Sequence, residues 1–311
     1  METTGQAQEI IVRQPLLEDL VEDFLQDQDI SGSSRSTYSR SLLKYLSWLR
    51  ETSRSERLSS LQRDDILAYK DYLLTQKLSS YTVSLYITAI RKLYQWLESK
   101  KIYPDITRGV KGTKKPKGYR KDSLTPDQLR EALRKIDRRS QEGLRDYALF
   151  NLMARTGLRD VEVSRTLVGD IRSEAGQAVL WIQGKGRNSK DDFVLLTKEA
   201  MRPLKAYLKT RGRLSEEAPL FSSNSDRNNG EGMTTRSISR IIKTALIRAG
   251  MDDKRLTAHS LRHTAITLSI VGGASLQQAQ AMARHSDPRT TLVYFHNLDR
   301  ISAGAEKCID F

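Results

Sequence analysis

The side chains best suited to phosphate chemistry crowd into short stretches of the second half of the chain. All four histidines, His259, His263, His285 and His296, fall in its last fifth. In "HSLRH" (259–263), His259 and Arg262 stand at i and i+3, so on a helix they project together. One is a proton donor or acceptor near neutral pH, and the other is a permanent bidentate fork. That combination suits a phosphodiester better than a metal ion. His259 and His263 also share a face at i and i+4, a spacing that can bind zinc. A metalloprotease motif, however, would have Glu where Ser260 stands, and neither a cysteine nor a carboxylate completes a ligand set.

Further residues of the same chemical kind lie around it. In "RHSDPRTTLVYFH" (284–296), Tyr294 follows His285 by nine residues, with Pro288 marking the start of a short helix. Taken alone, Tyr294 is one of twelve tyrosines, most of them suited to packing. Upstream, "ARTGLRDVEVSR" (154–165) has Gly157 ending one helical pattern and Arg159 beginning the next. Glu162 follows three residues later, close enough to brace the guanidinium. "QGKGR" (183–187) sets Lys185 between two glycines at the start of a hairpin, where a mobile amine could reach a ligand. The GxxxxGK[ST] spacing of a phosphate-binding loop is absent. Two-metal nuclease chemistry needs a carboxylate cluster; the pairs Asp191–Asp192 and Asp252–Asp253 point apart on a strand or a helix. No G-x-S-x-G elbow supports a serine hydrolase.

The elements that must position these groups follow from hydrophobic periodicity. "LLEDLVEDFLQDQ" (16–28) and "SSRSTYSRSLLKYLSWLRE" (33–51) each place apolar residues on one helical face. "RDDILAYKDYLLTQ" (63–76) and "SSYTVSLYITAIRKLYQWLES" (79–99) complete four helices, whose aromatic residues fit a core better than a base-stacking platform. Then "RGVKGTKKPKGYRK" (108–121) carries seven Lys or Arg and no acidic residue, the composition of an unstructured basic linker that could lie along phosphates. Its Lys111, Lys114, Lys115, Lys117 and Arg120 are the candidate contacts to such a phosphate backbone. "TPDQL" opens the next region with Thr125 as N-cap, Pro126 at the first helical position and Gln128 closing a capping box. Helical patterns run to about residue 167. Two β-like runs (178–183 and 192–196) form a long-looped hairpin, and helical patterns return at 197–211, 235–249, 260–271 and 275–284. The expectation is a mainly α chain: a helical domain at 1–107, a basic linker at 108–122, and a mostly helical domain at 123–311 carrying a small antiparallel sheet.

Global properties bound the partners. At 311 residues the chain is too long for one ordinary core, and two domains follow. The 52 Lys and Arg against 38 Asp and Glu give a net charge of +14, which favours a polyanionic partner. No apolar run approaches a membrane span, and the first residues carry no secretory signal. The single cysteine, Cys308, permits no intrachain disulfide and no cysteine-based zinc site. A reducing, cytoplasmic setting is the expectation.

Taken in order, "TGLRDVE", "QGKGR", "HSLRH" and "RHSDPRTTLVYFH" resemble the four signature segments of the tyrosine recombinase (phage integrase) family, of the two-domain integrase or Xer-like type. The match covers residues 123 to about 300, and the N-terminal helices resemble the family's SAM-like core-binding domain. The resemblance implies a two-domain clamp around DNA. It also implies roles: Tyr294 as the nucleophile that forms a 3′-phosphotyrosyl link, and Arg159 and Arg262 as a clamp on the non-bridging oxygens. His259 would assist proton transfer, His285 would hydrogen-bond the phosphate, and Lys185 would protonate the departing 5′-hydroxyl. Glu162 would support Arg159. A free phenol with a pKa near 10 is a poor nucleophile at neutral pH, and a cationic cluster favours the phenolate and the charged transition state. Neither a metal nor another cofactor is implied, because guanidiniums supply the charge and the protein–DNA ester keeps the bond energy.

The family has Gly where this chain has Arg284, so the helix ending there lacks the residue that most easily turns left-handed. The strand after the lysine hairpin reads "KDDFVLL" where Arg and Pro are usual. Neither change removes a catalytic group. The resemblance thus implies a site-specific recombinase acting as a tetramer on two double-stranded DNA sites, through a Holliday junction, in the cytoplasm at the nucleoid and without a membrane. Integration and excision of a mobile element is the leading task, and Xer-like resolution of chromosome or plasmid dimers the alternative. A type IB topoisomerase would share the active site but lack sequence preference. A non-catalytic DNA-binding regulator would give salt-dependent binding and no covalent product. The tail "LDRISAGAEKCIDF" (298–311) is expected to pack on a neighbouring subunit through Ile301, Ile309 and Phe311.

Overall fold

The apolar spacing that predicts four helices in the first hundred residues is met by four. The computed structural model describes residues 16–54, 58–114, 122–184, 186–224 and 229–310, and its contacts divide the chain into two units, Met1–Gly118 and Tyr119–Phe311. In the first unit α1 (Leu17–Asp27) buries Leu17, Leu20, Val21 and Phe24, the predicted face. The next helix, α2 (Gly32–Glu51), buries Leu42, Tyr45, Leu46 and Leu49. Helices α3 (Arg63–Thr75) and α4 (Ser80–Ser99) close the same core. Ser31 and Ser79 start α2 and α4 by accepting from the backbone N–H groups of Ser34 and Thr82, which would otherwise lack partners.

The stretch predicted as an unstructured linker begins as part of this unit. Val110 is buried in its core, Arg108 pairs with Glu98 at 2.8 Å, and the Thr113 hydroxyl donates to the Ser80 carbonyl at 2.7 Å. Gly112 lets the chain lie flat on α4, since a Cβ there would come within 2.9 Å of the Ser84 hydroxyl. Composition reports the charge of such a segment and misses the two or three anchors that fasten it.

The second unit opens as its capping box requires. Thr125 Oγ1 accepts from the Gln128 N–H at 3.2 Å, and Gln128 Oε1 accepts from the Thr125 N–H at 2.9 Å, starting α5 (Pro126–Arg134). The central helix, α6 (Gln141–Thr156), is buried along most of its length and packs against α8 (Lys198–Thr210). It ends at Gly157, whose backbone is left-handed (φ 62°, ψ 22°), a conformation glycine adopts at least cost. A single turn, α7 (Asp160–Val163), follows at once.

Where the sequence predicts a two-stranded hairpin, the structure has three antiparallel strands in the order β1-β2-β3. The strands are β1 (Ile171–Glu174), β2 (Gln177–Ile182) and β3 (Asp192–Leu195). The extra strand, "IRSE", holds one apolar residue and so shows no alternation. A two-residue turn fixes it, with Ala175 and Gly176 both at positive φ and Glu174 opposite Gln177. The buried face of the sheet, Leu180, Ile182 and Val194, joins the core built on α6. Helices α9 (Thr235–Arg248), α10 (Ala258–Val271), α11 (Leu276–Ala283) and α12 (Pro288–Ser302) complete the unit. Pro288 does begin a helix, as expected, but α12 runs for 15 residues and is not short.

Candidate active site

The site is assembled where two chain reversals, the end of α6 and the junction of α11 with α12, meet the first half of α10. Arg159 is the N-cap of α7. There Glu162, fully buried, accepts from the Arg159 backbone N–H at 2.8 Å and from its Nη1 at 2.6 Å. Charge and backbone are thus held by one carboxylate, and the guanidinium remains partly exposed.

Arg262 projects from α10 and is 2% exposed. Its Nη1 donates to the Gly157 carbonyl at 2.7 Å and its Nη2 to the Ala283 carbonyl, so it ties the ends of α6 and α11 together. Burial, then the charges of Arg159 and Arg284, push its pKa down to about 9, while Glu162 and Tyr294 oppose the fall. Such a depression marks a cation held among other cations. An anion in the cleft would relieve it.

Tyr294 lies on α12 and is 5% exposed, its ring packed with Ile266 and Ala283. Its hydroxyl oxygen is 2.5 Å from Nδ1 of His263. The His263 ring in turn meets His259 edge-on at 4.8 Å between centroids. On the other side His285 lies 6.4 Å from the tyrosine ring, nearly parallel to it. Its Nδ1 is hydrogen-bonded to the fully buried Thr291 hydroxyl at 2.8 Å. Burial, then the neighbouring His259, Arg262 and His285, push the His263 pKa down to about 4. For His285 the same value follows from burial, then Arg262, Arg159 and Arg284. Both rings are therefore neutral at physiological pH.

Of the residues singled out from sequence, Arg159, Glu162, Arg262, His259, His285 and Tyr294 are brought together. Arg159, His259 and Arg262 line one cleft, and a neighbouring cleft runs from Arg159 to Gly184 and Arg187 in the β2–β3 connection. Lys185, Lys115, Lys117 and Arg120 lie outside the described residues. Lys111 and Lys114 are exposed, and His296 is exposed and apart from the ring cluster. In the tail Ile309 is exposed, whereas Phe311 and the Ile301 side chain are outside the described residues.

Sequence reasoning treated His263 only as half of a metal-binding pair and passed over Thr291. Their signal was adjacency: His263 directly follows Arg262, and Thr291 is one helical turn before Tyr294. Arg284 itself adopts the left-handed conformation (φ 53°, ψ 47°) at the end of α11, a cost of about 1–2 kcal/mol that its side-chain contacts offset. Its Nη2 pairs with Glu162 Oε2 at 2.8 Å, and its side chain is 6% exposed. Burial pushes the Glu162 carboxyl up, but Arg284 and the Arg159 N–H groups outweigh it and hold the pKa below the usual carboxylate range.

Known proteins share this organisation. Residues 122–300 match the Phage integrase family, and residues 17–101 match the family described as "Phage integrase, N-terminal SAM-like domain". The chain is similar to tyrosine recombinase XerD of Listeria monocytogenes serovar 1/2a, with 27% identity over 287 residues covering 90% of this chain and 94% of the relative. Its fold resembles that of XerH site-specific recombinase bound to a palindromic difH substrate in a post-cleavage complex. That likeness has a TM-score of 0.73 and 20% identity, over 93% of this chain and 85% of the other. A lambda integrase tetramer bound to a Holliday junction gives a TM-score of 0.69 and 14% identity, over 91% and 78%. Among the described residues no helix is long and apolar enough to cross a membrane.

Proposed function

The chain belongs to the phage integrase family of tyrosine recombinases, DNA-cleaving and rejoining enzymes, and from that premise we propose that it recombines specific DNA sites through Tyr294. The observation that carries this reading is the convergence around Tyr294 and Arg262 of groups from three separate stretches of sequence. In the reaction, the Tyr294 oxygen attacks the scissile phosphorus and the bond from phosphorus to the 5′-oxygen breaks. A 3′-phosphotyrosyl ester forms, and Lys185 gives a proton to the departing 5′-hydroxyl. Arg159 and Arg262 bear on the non-bridging oxygens, where the pentacoordinate transition state gathers charge. His285, steadied by Thr291, hydrogen-bonds the phosphate. The phenolic proton passes to Nδ1 of the neutral His263, and His259, whose ring meets that of His263 edge-on near the cleft, assists the transfer.

The helical N-terminal unit and the basic residues Lys111, Lys114, Lys115, Lys117 and Arg120 grip the flanking duplex, their charge making binding steeply salt-dependent. Four copies act on two sites through a Holliday junction, as the lambda integrase tetramer's junction complex suggests, and the tail docks on a neighbouring copy. The work takes place on DNA in the cytoplasm. Integration and excision of a mobile element is the leading task. Xer-like resolution of chromosome or plasmid dimers is the alternative, and the match to XerD along 94% of that relative is the observation on its side.

The test uses duplexes with a randomised segment, nicked at staggered positions so that cleavage releases a short strand and traps the adduct. The wild-type chain should form an SDS-resistant complex with a subset of sequences, and Tyr294→Phe should form none. Adduct formation by Tyr294→Phe would overturn the assignment. The recovered sequence, mapped on the source genome, separates the two tasks: paired copies bounding a segment favour integration, and a lone site favours resolution. Relaxation of a supercoiled plasmid lacking that sequence would point instead to a topoisomerase.

A further inference from the structure

Glu162 presents a charge problem to the site it supports. A fully buried carboxylate against Arg159 cancels one of the two positive charges meant for the phosphate. The phosphodiester carries one negative charge, and the pentacoordinate transition state carries two. With Lys185 assigned to the departing oxygen, Arg262 alone on the non-bridging oxygens would match the ground state and fall short of the transition state.

Arg284 corrects that balance. Its Nη2 takes the second Glu162 oxygen at 2.8 Å, on the side away from the Arg159 Nη1 contact. The same nitrogen reaches the Gly157 carbonyl at 3.3 Å, the oxygen that also accepts from Arg262. Its Nη1 donates to the Met282 carbonyl, and its Nε is buried with no hydrogen-bond partner among the described residues. The side chain lines a cleft with Arg159, Glu162 and Ser286, at whose far side Arg187 pairs with Asp191 at 3.0 Å beside Asp192. Around Glu162 itself, the three guanidiniums of Arg159, Arg262 and Arg284 against one carboxylate leave two net positive charges, with His263 and His285 neutral.

We propose that Arg284 is a positioning residue of the cleavage site: by pairing with Glu162 it lets that carboxylate brace Arg159 without cancelling its charge on the phosphate. The same contacts account for a non-glycine residue in a left-handed backbone. This inference rests on the reading of Tyr294 as nucleophile. It assigns to this chain's own Arg284 a share in setting the charge that Arg159 presents to the phosphate.

The experiment compares Arg284→Met, Arg284→Lys and Arg284→Gly with the wild type in single-turnover adduct formation. The probes are nicked duplexes recovered from the randomised pool, made once with the natural scissile phosphodiester and once with an uncharged methylphosphonate there. Arg284→Met should slow adduct formation on the diester on the order of 100-fold, with most of the loss absent on the methylphosphonate, whose transition state carries one negative charge fewer. Arg284→Lys should recover part of the rate. Arg284→Gly, which suits the left-handed backbone, should show the same contrast even if Arg284→Met folds poorly. Equal slowing on both substrates would reduce Arg284 to a structural cap and overturn the proposal, as would no slowing. No adduct from the wild type would instead sink the reading of Tyr294.

Discussion

Tyr69 and Tyr294 are both buried tyrosines on helices, one in each unit, and their surroundings have little in common. Tyr69 packs among aromatic rings, with Tyr45 at 4.9 Å and Trp48 at 5.1 Å between centroids. Its hydroxyl has no hydrogen-bond partner among the described residues. Desolvation, helped by neighbouring tyrosines, pushes its pKa well up, and burial does the same at Tyr45 and Tyr94. Tyr294 is buried too, but its oxygen meets an imidazole and Arg262 stands behind it. Burial by itself makes a phenol inert. Burial beside groups that accept its proton and stabilise its charge prepares it to react.

The largest break in that contrast should come from Arg262. Arg262→Ala removes a charge beside Tyr294 and two ties between helix ends, so adduct formation should fall on the order of 1,000-fold. The corresponding loss for any tyrosine-to-phenylalanine change in the first unit should be nil.

A second difference concerns acid. The first unit contains no histidine, whereas His263 and His285 both have pKa values pushed down to about 4. An unfolded chain takes up protons on these rings below about 6.5, and the fold resists them until about 4. Stability present above pH 6.5 should therefore decline through that window, read as a falling calorimetric midpoint. Replacing both with Asn should flatten the decline; an unchanged slope would contradict the two depressed values.

Thr291 offers a smaller lever. Thr291→Val keeps the shape of the side chain and removes the hydroxyl that holds His285, so the adduct should form about fivefold more slowly, the equivalent of ~1 kcal/mol. The smallest effect belongs to Tyr69→Phe. Deleting an unpartnered buried hydroxyl should leave adduct formation unchanged and stability equal or higher by about 1 kcal/mol, measured by urea unfolding.

Much of this contrast was legible before the structure. Helical periodicity located α1 and its buried face, and a capping box located the start of α5. Short segments pointed to a candidate catalytic set, of which Arg159, Glu162, His259, Arg262, His285 and Tyr294 lie together in the structure, because that chemistry is carried by residue types that packing rarely demands. Other features were hidden for definite reasons. The strand β1 is too short and polar to show a pattern, and α12 continues past its motif on residues with no strong signal of their own. His263 and Thr291 act through contacts that only the folding of α10 against α12 creates. Arg284 looked like a defect at a helix end, because the cost of its backbone is visible in sequence and its partner Glu162, 122 positions away, is not.

The central claim is that the reactive phenol is the one beside His263. Wild-type protein trapped on a nicked duplex from the randomised pool, digested with nuclease and protease and analysed by mass spectrometry, tests it directly. The account predicts a single nucleotide-bearing peptide with the phosphate on Tyr294. A phosphate on any other tyrosine, or on a serine or histidine, would contradict it.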